Sequence, residues 1–317
     1  MPGWSDKLPD AVSGRARALG DEGVRWMQSL DETIAALEAR WAVSVERALG
    51  GGSHAFVGLA SDRAGEKYIL KIDLPDETQQ EYMRGVRALR RAQGNGYCRL
   101  LAEAGEKRAV LLERLGERLS RSPYSPAEQM RIICRALKKT WAIPVDPEAQ
   151  PGDYGNHVWF REFIPSLWEE LGHPCDEGVI DTALRYLDDL EGRTDPAAYV
   201  TVHGDAHNNN MLLTPGTGEY KFIDPDGLIF EKSYDMGVLM REWPEEFAGD
   251  AAARGRERCA FLSGLSGVAE EDIWEWGFLQ MTATALLLIQ IGQRDLGDKM
   301  LKIAETWCRG TEAAARS

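Results

Sequence analysis

Apolar residues recur at a helical period from Leu30 through Ile34 and Leu37 to Trp41, so the first forty residues are predicted to be helices packed on a folded lobe. The pattern then becomes strand-like. Three runs, 42–49, 55–61 and 67–72, are separated by Gly50-Gly51-Gly52-Ser53 and by Asp62-Arg63-Ala64-Gly65, which predicts an antiparallel meander. After Pro75, Asp76 is expected to cap a helix that carries Gln79 at its third position, and Gly94-Asn95-Gly96 closes that helix before two strands around Leu100 and Leu111. Residues 115–124 have loop character. Ser125-Pro126-Ala127-Glu128 combines a capping box with proline at the first helical position, and helices are expected over 127–142 and 177–190. Short strands follow at 199–202, 211–214 and 220–224, the last two joined by Pro215-Gly216-Thr217-Gly218. Beyond Lys232 the period is helical again, with Trp274, Phe278, Met281, Ala285 and Leu288 on one face of a long helix. The expectation is an α+β chain in two lobes. Residues 1–114 form an N-terminal lobe with leading helices, a five-stranded antiparallel sheet and one main helix, and residues 115–317 form a mostly helical lobe.

Chemistry concentrates in His203-Gly204-Asp205-Ala206-His207-Asn208-Asn209-Asn210 and in Phe222-Ile223-Asp224-Pro225-Asp226-Gly227. An aspartate five positions before an asparagine, then another aspartate at the end of the next short strand, is how protein-kinase-like folds place a base and two magnesium ligands. Asp205 would meet a substrate hydroxyl, while Asn210 and Asp224 would hold Mg2+ against the ATP phosphates, because hard cations take oxygen ligands. Lys71 lies inside the apolar run Tyr68-Ile69-Leu70-Lys71-Ile72, where phosphate oxygens would give a strand lysine its partner. Glu81 is the expected acid for that lysine, with Glu77 as the rival. Backbone amides at Gly51, Gly52 and Ser53 could close over the phosphates. In Ala109-Val110-Leu111-Leu112-Glu113-Arg114-Leu115-Gly116, the backbone of Glu113 and Leu115 could bond an adenine edge. His203 and His207 stand four apart, but in a loop without a following glutamate they do not read as a zinc pair.

With these motifs in place, the chain resembles the aminoglycoside phosphotransferase superfamily, and within it the streptomycin 6-phosphotransferase and hydroxyurea-resistance kinase group. The resemblance rests on Leu8-Pro9, Trp26, Leu70-Lys71, the 111–115 hinge, His203-Gly204-Asp205 with Asn210, Ile223-Asp224-Pro225 and Tyr234-Asp235. It implies a protein-kinase-like two-lobed fold and ATP-dependent phosphorylation of an antibiotic hydroxyl, with Asp235 bracing the catalytic loop. The chain departs from the family wording at Ala206, Asn208, Asn209 and Asp226, so the acceptor stays open. A housekeeping kinase for an amino alcohol or sugar would keep the same core, and a nucleotide-binding pseudokinase would have no use for its metal ligands.

Composition narrows the partners. Against 37 basic side chains stand 51 acidic ones, a net charge of -14, which disfavours nucleic acid and suits a small cationic acceptor. Glu231, Glu242, Glu245, Glu246 and Asp250 read as an acidic cluster for that acceptor. Five scattered cysteines without paired spacing fit a reducing compartment, and no segment reads as a leader or a membrane span, so a cytoplasmic location is expected. A monomer is favoured over an oligomer.

Overall fold

A computed structural model describes residues 3–315 apart from 51, 53, 77 and 156, with side chains described up to residue 309. Its internal contacts divide the chain into two units, Met1–Glu117 with Leu213–Ile223, and Arg118–Leu212 with Asp224–Ser317.

The first unit opens with α1 (Asp10–Ala18) and α2 (Asp21–Trp41), followed by β1 (Val43–Ala48), β2 (Ala55–Asp62), β3 (Lys67–Asp73), α3 (Gln79–Ala92), β4 (Leu100–Ala104) and β5 (Ala109–Glu113). The five strands make one antiparallel sheet in the order β1-β2-β3-β5-β4. Because side chains alternate along a strand, Leu70 and Ile72 face one side of β3 and are buried with Val12, Ala16, Leu30, Ile34 and Leu37 of the two leading helices. Lys71 therefore falls on the other face. The start of α3 corrects the expectation: Thr78, not Asp76, is the N-cap, and Gln79 is the first helical residue. Asp76 instead accepts from Arg15 Nε at 2.6 Å and lies 2.9 Å from His54 Nδ1.

The second unit contains α4 (Pro126–Trp141), α5 (Val158–Glu170), α6 (Glu177–Arg193) and β6 (Val200–Thr201). The short strands β7 (Met211–Leu213), β8 (Tyr220–Phe222) and β9 (Ile229–Phe230) follow, and then α7 (Lys232–Arg241), α8 (Ala251–Ser266), α9 (Glu270–Gln290) and α10 (Arg294–Ala315). Residues 213–223 of the β7–β8 hairpin return to the first unit, where Gly116 N donates to Leu213 O and Cys98 N to Phe222 O, both at 2.7 Å.

Helix α9 is the core of the second unit and contacts α5, α6, α7, α8 and α10. Its consecutive residues Ile273 to Ala283 are all buried, so it packs on all sides rather than along one face. Two glycines set its close approach to α7. A Cβ at Gly237 would lie 2.8 Å from Trp276 O, and one at Gly277 would lie 2.6 Å from Met240 Cβ. Among the described residues no helix is long and apolar enough to cross a membrane.

Candidate active site

The loop after β6 turns sharply at Gly204, whose φ of +90° lies where side-chain-bearing residues are strained, and a Cβ there would meet Asp226 Oδ2 at 2.1 Å. The turn is held from below by Asp235, which is fully buried on α7. Its Oδ2 accepts from Trp141 Nε1 at 2.9 Å and from His203 N at 3.0 Å, and its Oδ1 accepts from Gly204 N at 2.9 Å. Burial pushes this carboxyl up to about 6 against the pull of those three donors, and the charge of Asp205 adds to the rise. Asp235 braces the loop, as the family resemblance implied.

Asp205 follows the turn and is partly exposed. Its Oδ1 accepts from Arg241 at 2.5 Å, and its Oδ2 lies 3.0 Å from His207 Nε2. Asn210 donates through Nδ2 to the Asp205 backbone oxygen at 3.1 Å and reaches Oδ2 at 3.4 Å. Desolvation pushes the Asp205 carboxyl up, but the hydrogen bond and charge of His207 and the charges of Arg241 and His203 outweigh it, holding the group well below the usual carboxylate range. Asn209 N donates to His207 Nδ1 at 3.1 Å, which leaves Nε2 as the nitrogen that carries the proton toward Asp205.

Asp224 is exposed and has a φ of +55°, a conformation that aspartate tolerates better than most residues. Among the described residues no group of three His, Cys, Asp or Glu side chains is placed to hold a metal ion. The expected pair fits a different chemistry. Magnesium is usually held by one or two protein oxygens with substrate phosphates and water. The amide nitrogen of Asn210 is turned to Asp205, which leaves its Oδ1 as the amide atom able to ligate a cation, and Asp224 carries an exposed carboxylate.

In the first unit, Lys71 Nζ lies 2.9 Å from Asp73 Oδ1. The expected Lys71–Glu81 pair does not form. With Thr78 as N-cap, Glu81 occupies the third helical position and turns back to accept from Thr78 N at 2.7 Å, while Glu81 N donates to Thr78 Oγ1 at 3.2 Å. Glu77, Gly51 and Ser53 lie outside the described residues, and Gly52 is exposed with open space around it. The Glu113 carboxylate accepts from Lys221 Nζ at 2.6 Å and from Arg99 N at 2.7 Å, and the Glu113 N–H donates to Arg99 O at 3.0 Å. Leu115 is buried.

The acidic residues divide by partner, with Glu242, Glu245 and Glu246 all close enough to act on Arg258. Glu231 accepts from Trp276 Nε1 and contacts His157, Glu246 pairs with Arg258, and Asp250 caps α8 through Ala253 N. Glu242 stays close to the loop, its Oε1 4.0 Å from Arg241 Nε. Arg241 is the residue that the sequence reading missed.

The five-stranded antiparallel sheet, the helical second unit and the Asp205–Asn210 loop braced from α7 define a phosphotransferase of the protein-kinase-like class, acting on a hydroxyl group. A family model described as aminoglycoside/hydroxyurea antibiotic resistance kinase matches residues 40–290, and the chain belongs to that family. It is similar to the streptomycin 6-kinase of Streptomyces griseus, 25% identical over 303 residues that cover 94% of this chain and 96% of the relative. Its fold is shared with the choline kinase LicA of Streptococcus pneumoniae, with a TM-score of 0.61 and 17% identity over 87% of this chain and 97% of that one. Spectinomycin phosphotransferase, solved with ADP and spectinomycin, matches with a TM-score of 0.57 and 13% identity over 89% of this chain and 98% of that one.

Proposed function

We propose that this chain transfers the γ phosphate of ATP to a hydroxyl of a small cationic acceptor of the aminoglycoside type, streptomycin-like, and so confers resistance. The observation that carries the reading is the clamped carboxylate of Asp205, with Asn210 beside it, in a chain of the antibiotic-kinase family.

The acceptor hydroxyl donates to Asp205, which is ionised at neutral pH and orients the oxygen toward the γ phosphorus. The new O–P bond forms as the bond from phosphorus to the departing ADP oxygen breaks, and the hydroxyl proton passes to Asp205 and then to water. Catalysis of this kind is chiefly positional and electrostatic, because the transition state is loose and asks little covalent chemistry of the protein. Lys71 would contact the α and β phosphates. The Glu113 carbonyl and the Leu115 N–H would meet the adenine edge, and the Gly52 amide would approach the phosphates. Mg2+ held by Asn210 and Asp224 would neutralise charge on the phosphates when bound.

A coupled ADP-release assay with magnesium and ATP, run against aminoglycosides, amino alcohols and sugars, tests the acceptor class. Turnover with streptomycin-like acceptors is the expected result, whereas turnover confined to amino alcohols or sugars would replace the antibiotic reading with a metabolic one. Asp205→Ala should lose turnover by about 100-fold or more while nucleotide binding persists. An unchanged turnover number would remove Asp205 from its role.

A further inference from the structure

We propose that Arg241 is a positioning residue for phosphotransfer: anchored on α9 by Gln280 and Thr284, it fixes the Asp205 carboxylate so that Oδ1 is the atom that receives the acceptor hydroxyl. This rests on the kinase reading above.

The guanidinium has little freedom. One terminal nitrogen donates to Gln280 Oε1 at 2.9 Å and to Thr284 Oγ1 at 2.8 Å, and the other donates to Asp205 Oδ1 at 2.5 Å. Because the group is a planar fork, fixing one nitrogen on two helix side chains also fixes where the other points. The close crossing at Gly237 and Gly277 brings the two helices near enough for those anchors. Arg258 secures the end of α7, donating to the backbone oxygens of Leu239, Met240 and Glu242 while pairing with Glu246 at 2.7 Å.

The opposite side of the carboxylate is held by the loop itself. Oδ2 faces both His207 Nε2 and Asn210 Nδ2, whereas Oδ1 takes its bond from Arg241. A carboxylate oxygen accepts about two hydrogen bonds, so Oδ1 is the one with capacity for a hydroxyl. Without Arg241 the carboxylate could rotate toward His207, and the hydroxyl would lose its fixed partner. A lysine could not replace it, since one ammonium cannot span Asp205 and both anchors in a planar arrangement.

The test uses the full chain and the acceptor with the highest turnover in the panel, measuring the turnover number and the KM for ATP separately. Arg241→Met should lower kcat by about 100-fold, the scale of a misplaced reacting group, with the KM for ATP nearly unchanged. Arg241→Lys should remain impaired. Added guanidinium should restore turnover to Arg241→Ala, while urea at the same concentration should not. Thr284→Val removes one anchor and keeps Asp205 and Arg241 intact, so a reduced kcat in this milder variant supports the role even where the Arg241 variants fold poorly. Wild-type kcat in folded Arg241→Met, or wild-type kcat in Thr284→Val, overturns the positioning role while leaving the kinase reading in place. A wild-type chain inactive against the whole panel overturns both.

Discussion

Asp235 and Asp205 are carboxylates on adjoining pieces of backbone, and their surroundings drive them in opposite directions. Asp235, fully buried, is pushed up to about 6, whereas Asp205 is held low by His207, Arg241 and His203 despite its own desolvation. A proton taken up by Asp235 would sit on Oδ1, since Oδ2 serves both Trp141 and His203, and the bond from Gly204 N would be lost. Turnover should therefore fall on the acid side with an apparent pKa near 6, a limb belonging to the brace and not to Asp205. The linkage runs the other way for stability. The native pKa lies above the ordinary unfolded value of about 3.9, so the contribution of Asp235 favours folding below that value and is lost as pH rises through about 6. Asp235→Asn resembles the protonated form. It should show a low kcat that lacks the limb near pH 6 and gain stability relative to wild type as pH rises from about 4 to about 6 in urea titrations; parallel stability curves would refute the assignment. Gly204→Ala tests the turn itself. With a φ of +90° and Asp226 Oδ2 at 2.1 Å from the added carbon, it should cost about 1–3 kcal/mol in thermal unfolding and lower turnover.

At the scale of elements, the positions of Asp235 and Arg241 depend on how α7 meets α9. Gly277→Leu would drive a side chain into Met240, and such overpacking typically costs about 1–3 kcal/mol. The expected outcome is a lower melting temperature together with a reduced kcat, because Arg241 would shift away from Gln280 and Thr284; a stability loss with full kcat would separate the crossing from the site. These contacts explain which parts of the molecule could be read from sequence. The five strands and α4 were legible because alternation and the Ser125–Glu128 box are local signals. Helix α5 was not, since Pro165 sits inside it and its aromatic residues obscure the helical period. Thr78 rather than Asp76 is the cap because Glu81, three residues on, closes a reciprocal box with it, a local signal that is hidden when Glu81 is assigned to Lys71. The proximity of Asn210 to Asp205 was legible from their five-residue spacing in one loop. Arg241 was not, since its partners stand 36, 39 and 43 residues away in the chain. The acidic residues near in sequence could not be sorted by role for the same reason: Glu231, Glu246 and Asp250 serve Trp276, Arg258 and the start of α8.

Because several of these carboxylates are engaged by partners, much of the attraction for a cation comes from the whole molecule. With Glu231, Glu246 and Asp250 engaged in holding the helical unit together, fewer carboxylates are left to attract a cationic acceptor locally, and Arg241 offsets the charge of Asp205. The larger source is the excess of 51 acidic over 37 basic side chains, which gives the net charge of -14. A field made by many exposed charges acts over distance and is screened within about 8 Å at physiological ionic strength, whereas paired groups in the interior are screened much less. The two sources thus respond differently to salt. If the whole-molecule field draws the acceptor in, raising sodium chloride from low to high concentration should increase the KM of a polycationic acceptor by about threefold to tenfold, leaving its kcat nearly constant because the Arg241–Asp205 clamp is partly buried. A neutral acceptor of similar size should show no such rise. Steady-state kinetics over a salt series on both acceptors checks this. A salt-independent KM for the polycation would mean that recognition rests on short-range contacts with Asp205 and Glu242, and charge-removing substitutions far from the loop would then leave acceptor affinity untouched.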